Sequence, residues 1–175
     1  MRLGLVSFMT LAAVGLLLSI CAHLAALFGL PLPGRNAVFG LHVGIFVVWL
    51  PAVIVATRTT RAANRKDFWR TALSGCPVWM RRGLYMLFAY AILNFVIFMV
   101  GGTHGGQSGG APMASEVRGF SGHWMMFYAA AFAILYSAVH APHLLRDRKC
   151  ANGHAVAPTA QFCPECGSRL VPAIS

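Results

Sequence analysis

Four apolar stretches, at about 3–30, 37–57, 84–101 and 122–141, contain no Asp, Glu, Lys or Arg. A helix needs roughly 20 apolar residues to cross a hydrocarbon core, and each stretch meets or approaches that length. Buried helices of soluble proteins rarely run so far without a charge. Only 10% of the residues are charged, against roughly 25% in soluble domains, which excludes a water-soluble fold. The expected fold is an all-α polytopic membrane protein, a four-helix transmembrane bundle over 1–143.

The formal charge of +10 raises the question of nucleic acid, but the cations sit at the ends of the apolar runs. Segment 58–83 holds Arg58, Arg61, Arg65, Lys66, Arg70, Arg81 and Arg82. The tail holds Arg146, Arg148, Lys149 and Arg169, and Arg2 precedes the first span. Only Arg35 and Arg118 fall in the two other connections, so twelve of fourteen Lys and Arg lie on one side. Basic residues favour the cytoplasmic face, so both termini are expected there. Met1-Arg2 before an apolar run could open a signal peptide, but a run of about 28 residues is too long for its core. Leu18-Ser19-Ile20-Cys21 matches a lipobox poorly. The first span is therefore expected to remain uncleaved.

Residues 31–36 contain two prolines and a glycine and should join the first two spans as an antiparallel hairpin. In the basic segment, Phe68, Trp69, Ala72 and Leu73 share one helical face flanked by cations, the pattern of a short helix lying on a leaflet. Gly75-Cys76-Pro77 breaks it, and Trp79 has the place of a headgroup-level anchor. Arg65, Lys66, Trp69, Arg70, Trp79, Arg81 and Arg82 are the expected membrane-surface contacts, with membrane lipids as partners. An ordinary basic loop facing anionic lipid accounts for them. Residues 101–110 include six glycines and read as slack chain.

After the last apolar run the chemistry changes. Cys150 and His154 are followed by Cys163 and Cys166, four soft ligands within 17 residues. Zinc favours four sulfur and nitrogen ligands in a tetrahedron, and a closed set leaves no position for catalysis. Gly153 and Gly167 suit the tight turns that such wrapping needs, residues 158–162 would close a hairpin, and Phe162 would cover the site. Three cysteines cannot pair evenly, a cytoplasmic tail stays reduced, and no βαβ context supports a redox Cys-x-x-Cys. The expected cofactor is structural Zn held by Cys150, His154, Cys163 and Cys166.

The segment 150–167 resembles the short zinc-ribbon tails of bacterial proteins, with a Cys-x-x-Gly-His…Phe-Cys-Pro-x-Cys-Gly pattern matched at Cys150, Gly153, His154, Phe162, Cys163, Pro164, Cys166 and Gly167. The resemblance covers about a tenth of the chain. It implies a small C-terminal zinc-ribbon β-hairpin over 144–175, used for protein contact and sometimes for nucleic-acid contact. With one aromatic and few cations inside the module, the footprint of nucleic-acid binding is missing. With the apolar spans and the Lys and Arg distribution, the resemblance to bacterial tails makes the bacterial cytoplasmic (inner) membrane the expected location.

Seven histidines occur. His23, His42, His104 and His123 all fall near the outer boundary, within roughly 10 Å in depth at 1.5 Å per residue. They form a candidate second metal or haem site. Facing imidazoles hold haem axially, and nearby Met99, Met113, Met125 and Met126 would suit copper. Hydrogen-bonded packing explains the same residues, and so do the stripes of Tyr90 with Asn94 and of Tyr128, Tyr136, His140 and His143. No nucleophile–base spacing, phosphate loop or HExxH occurs. Cys21 reads as apolar filler and Cys76 as weak evidence of modification. The expected function is a non-enzymatic membrane scaffold or accessory subunit whose cytoplasmic zinc ribbon docks other membrane or cytoplasmic proteins, in a homo- or hetero-oligomer. The alternative is a haem- or copper-binding redox component built on the outer histidines. A small transporter lacks the usual charges and internal repeat.

Overall fold

A computed structural model describes residues 2–31, 35–61, 65–104, 112–145, 148–156 and 160–170. Helix α1 covers Arg2–Leu27, α2 Gly40–Thr59, a one-turn α3 Phe68–Ala72, α4 Val78–His104 and α5 Pro112–His140. A two-stranded antiparallel sheet of β1 (Arg148–Lys149) and β2 (Ala155–Val156) follows. Four segments, Arg2–Leu27, Ala37–Thr59, Val78–Val100 and Glu116–His140, are helical, long and apolar enough to cross a membrane.

The ends differ from the expected ones for local reasons. The first span stops at Leu27, before the prolines, because Gly29 turns left-handed at φ 65°. The Leu30 amide then bonds the Ala25 carbonyl at 2.8 Å, the closing bond of a Schellman cap. At the other extreme α4 starts six residues before 84, nucleated on Pro77, whose carbonyl accepts from Met80 and Arg81. Arg81 and Arg82 end the apolar run but do not end the helix. Likewise α5 begins ten residues ahead of 122 and carries Glu116 and Arg118. The stretch 105–111, which includes most of the glycine-rich loop, lies outside the described residues.

Helix α5 is the axis of the fold. It packs against α1, α2 and α4, and α1 also packs on α2. Its spanning window is 67% buried, whereas those of the other three are 17–22% buried. Among the described residues, α5 presents no large exposed hydrophobic side chain, while α1, α2 and α4 present many. The sequence explains the arrangement. Gly119, Ser121, Gly122, Ala130, Ala131, Ala133, Ser137 and Ala138 keep α5 thin, and small residues let helix backbones approach when lipid supplies no hydrophobic drive between them.

Large residues fill the remaining gaps. The Tyr128 ring lies against Gly15 of α1 and Gly44 of α2, where an added Cβ would collide with it, and its hydroxyl donates to the Leu41 carbonyl at 2.8 Å. Phe98 of α4 fills the notch at Gly119. The short α3 differs from the leaflet helix expected. Ala72 and Leu73 turn into the protein and are fully buried, leaving Trp69 and Trp79 exposed. Gly75 donates its amide to Ser137 Oγ at 2.9 Å, and Cys76 Sγ donates to the Ala133 carbonyl. These bonds seat the basic segment on the end of α5.

Candidate metal centre

The tail folds as two turns facing each other. Pairing of Arg148 with Val156 and Lys149 with Ala155 closes the first around Cys150 and His154. Its tip is fixed by the Cys150 amide on the His154 carbonyl and the Gly153 amide on the Cys150 carbonyl. Gly153 takes φ 83°, which disfavours any residue with a Cβ. The second turn is bridged by Phe162 and Arg169. Inside it the Cys163 amide bonds the Ser168 carbonyl and the Gly167 amide bonds the Cys163 carbonyl, with Gly167 at φ 69°.

These turns bring one ligand atom from each of Cys150, His154, Cys163 and Cys166 within 4.8 Å of one another. Zinc–sulfur and zinc–nitrogen bonds of about 2.3 Å and 2.0–2.1 Å make tetrahedral edges of about 3.8 Å between sulfurs and about 3.6 Å between sulfur and nitrogen. The Sγ atoms of Cys150 and Cys166 are 3.8 Å apart. His154 Nδ1 lies 3.5 Å from Cys150 Sγ and 3.7 Å from Cys163 Sγ. The donor set and these three edges therefore fit a tetrahedral zinc ion.

The far side of the ring supports the same fit. His154 Nε2 faces Glu165 Oε2 at 3.5 Å, and a carboxylate on the second nitrogen orients a metal-bound imidazole and raises its basicity. The Ser168 hydroxyl, the Ser168 amide and His154 together hold the Cys166 thiol down to about 5, which favours the thiolate that a metal requires. Glu165 was not among the expected site residues. Its place between Cys163 and Cys166 was the available signal. Phe162 does not cover the site: its side chain is 57% exposed. The small core of the tail is instead Cys150, Val156, Cys163 and Leu170.

Three of the four outer histidines, His23, His42 and His123, separate into two arrangements. His23 is buried between α1, α4 and α5, with Nδ1 2.6 Å from Ser121 Oγ and Nε2 bonded to the Tyr90 hydroxyl. Both nitrogens are thus engaged by protein. His42 and His123 come together, ring centroids 5.3 Å apart and planes at 30°. The Trp124 indole N–H donates to His42 Nδ1 at 3.1 Å, so that nitrogen presents a lone pair and the ring proton sits on Nε2. A metal-bound histidine has the opposite polarity, donating from its free nitrogen. The side chains of His104 and Met113 lie outside the described residues.

Asn94 donates to the carbonyls of Arg118 and Gly119 at 2.8 and 3.3 Å, and Tyr136 stacks on His140 at 3.8 Å. The face that pairs Tyr90 with Asn94 is therefore spent on helix contacts. Burial pushes the Cys76 thiol up to about 11, with the Arg81 charge pulling the other way, which leaves it a poor nucleophile. The exposed membrane-surface candidates are Arg65, Lys66, Trp69, Arg70, Trp79 and Arg82, with Arg81 half-buried.

The chain is one of helices able to cross a membrane joined to a Cys3His centre of zinc dimensions. Comparison with protein-family models, with curated proteins and with solved structures finds no match in any of the three.

Proposed function

We propose that this chain is an accessory or scaffold protein of the bacterial cytoplasmic membrane, with both termini cytoplasmic and a zinc-ribbon tail that docks a partner protein. The observation that carries the reading is closure of the metal centre. Four protein ligands complete a tetrahedron, which makes the metal structural and leaves no position for a substrate. The distribution of Lys and Arg supports the orientation. Phe162 gives the tail an exposed aromatic of the kind enriched at protein contacts. Arg65, Lys66, Trp69, Arg70, Trp79, Arg81 and Arg82 form the proposed contact with anionic lipid on the same face.

Metal content and an absorption spectrum of protein purified in mild detergent test this directly. One zinc per chain, no visible band, and a stoichiometric partner lost in Cys163→Ser while membrane insertion persists are the expected results. A Soret band, or copper beyond the zinc, would replace the scaffold with the redox component built on His23, His42, His104 and His123.

A further inference from the structure

The imidazole pair belongs to a larger surface. Phe46 packs edge-on against His42, His42 faces His123, His123 meets Phe127, and Phe127 meets Trp49 edge-on, with centroid separations of 6.3, 5.3, 5.0 and 4.9 Å. Five rings thus run without a break across α2 and α5. Phe46 is 63% exposed and the other four are partly exposed, so the ribbon faces outward from the bundle. Aromatic rings present flat π-faces that hold other planar groups by offset or edge contacts.

The middle of the ribbon is polar in one defined sense. Because Trp124 donates to His42 Nδ1, Nε2 carries the proton and is a donor. Among the described residues it meets no hydrogen-bond partner. A partly exposed N–H donor set among aromatic rings is complementary to an acceptor oxygen. That acceptor should be neutral where it meets Phe46, Phe127 and Trp49, since residues 40–57 of α2 and 119–140 of α5 contain no Asp, Glu, Lys or Arg; along these two helices the nearest cation is Arg118, beyond the His123 end of the ribbon. Beside the donor stands the His123 imidazole, and the other three rings of the ribbon are apolar or present apolar faces.

We propose that the ribbon Phe46–His42–His123–Phe127–Trp49 binds a membrane-soluble quinone, with one quinone carbonyl accepting from His42 Nε2 and the ring lying against the aromatic faces. The ligand reaches the site from the bilayer, so this inference rests on the membrane reading above. It is independent of the metal centre.

The test is tryptophan fluorescence of the full-length protein in lipid nanodiscs, in a Trp69→Phe/Trp79→Phe background, titrated with decylubiquinone. Decylbenzene, which has the ring and tail but no carbonyl, is the competitor. Saturable quenching is expected, decylbenzene should fail to compete, and His42→Phe should weaken binding up to about tenfold, the loss of one hydrogen bond. Trp124→Phe keeps both imidazoles but frees the His42 tautomer, and should weaken binding less. Non-saturable quenching, equal competition by decylbenzene, or unchanged affinity in both variants overturns the proposal. So does a haem or copper ion that copurifies and is lost in His42→Phe. If neither variant inserts, competition on the parent protein decides alone. Carbonate extraction and the zinc content of the same preparation report on the membrane and zinc readings, so their failure is distinguishable from failure of this one.

Discussion

The helical body and the tail solve the same problem at different scales. The body organises around α5, which is thin and heavily buried, and it gains specificity from Tyr128 in the notches of Gly15 and Gly44 and from His23 between Ser121 and Tyr90. Its binding elements are spread over more than a hundred residues. Among the described residues, the tail has a core of only four buried residues, Cys150, Val156, Cys163 and Leu170, two of which belong to the Cys3His group. A segment that small cannot offset its ordering entropy by burial, so an ion held by the Cys3His group would take over the task that a whole interface performs in the body. Order in the body is cooperative and distributed. Order in the tail is all-or-none and chemical.

The largest effect expected is therefore confined to the tail. Structural zinc contributes about 10–16 kcal/mol of apparent binding free energy in small modules. Chelation or Cys163→Ser should abolish the folded tail, read as lost protection of its amides from exchange, while helicity stays constant. Loss of helicity on chelation would break the contrast. Next in size is Gly15→Val, which places a branched side chain against the Tyr128 ring. Overpacking of this kind costs about 1–3 kcal/mol. The melting temperature in detergent should fall while zinc content remains at one per chain.

A smaller loss follows from His23→Phe, which removes the bonds to Ser121 and Tyr90. Hydrogen bonds between membrane helices contribute about 0.6 kcal/mol and reach about 1.7 kcal/mol, so a modest decrease in melting temperature is expected, with Asn94→Leu similar. The smallest effect is chemical. With the Cys76 thiol pushed up to about 11, it remains protonated at pH 8 and should resist alkylation in the folded protein. Prompt labelling at pH 8 would mean that the basic segment is not seated on α5.

The same contrast governs what could be read from the sequence. The tail was legible because its ligands are chemically rare and lie close together: Cys150, His154, Cys163, Cys166 and both turn glycines needed no knowledge of the rest of the chain. Only the outward side of the centre escaped, with Glu165 backing His154 and Phe162 turned to solvent. In the body, the lengths of the apolar runs revealed four helices but not their arrangement. The glycines, alanines and serines of α5 were the signal for a central helix, though a scan for apolarity ranks that helix lowest. Depth along a helix follows from counting residues, so His23, His42 and His123 could be placed at one level. Rotation about the helix does not, and it decided that His42 meets His123 while His23 meets Tyr90. Gly15, Gly44 and Tyr128 carry no local mark of belonging together.

The junction between the two regions has its own consequence. Leu144 is buried and the sheet of the tail begins at Arg148, so four peptide steps, about 14 Å at most, separate the anchored chain from the Cys3His module. On so short a leash the module explores almost no volume. Anything it grips is held at the end of α5 at the millimolar effective concentration typical of short tethers, so even a weak grip would keep a membrane neighbour engaged, while a partner arriving from solution would need affinity of its own.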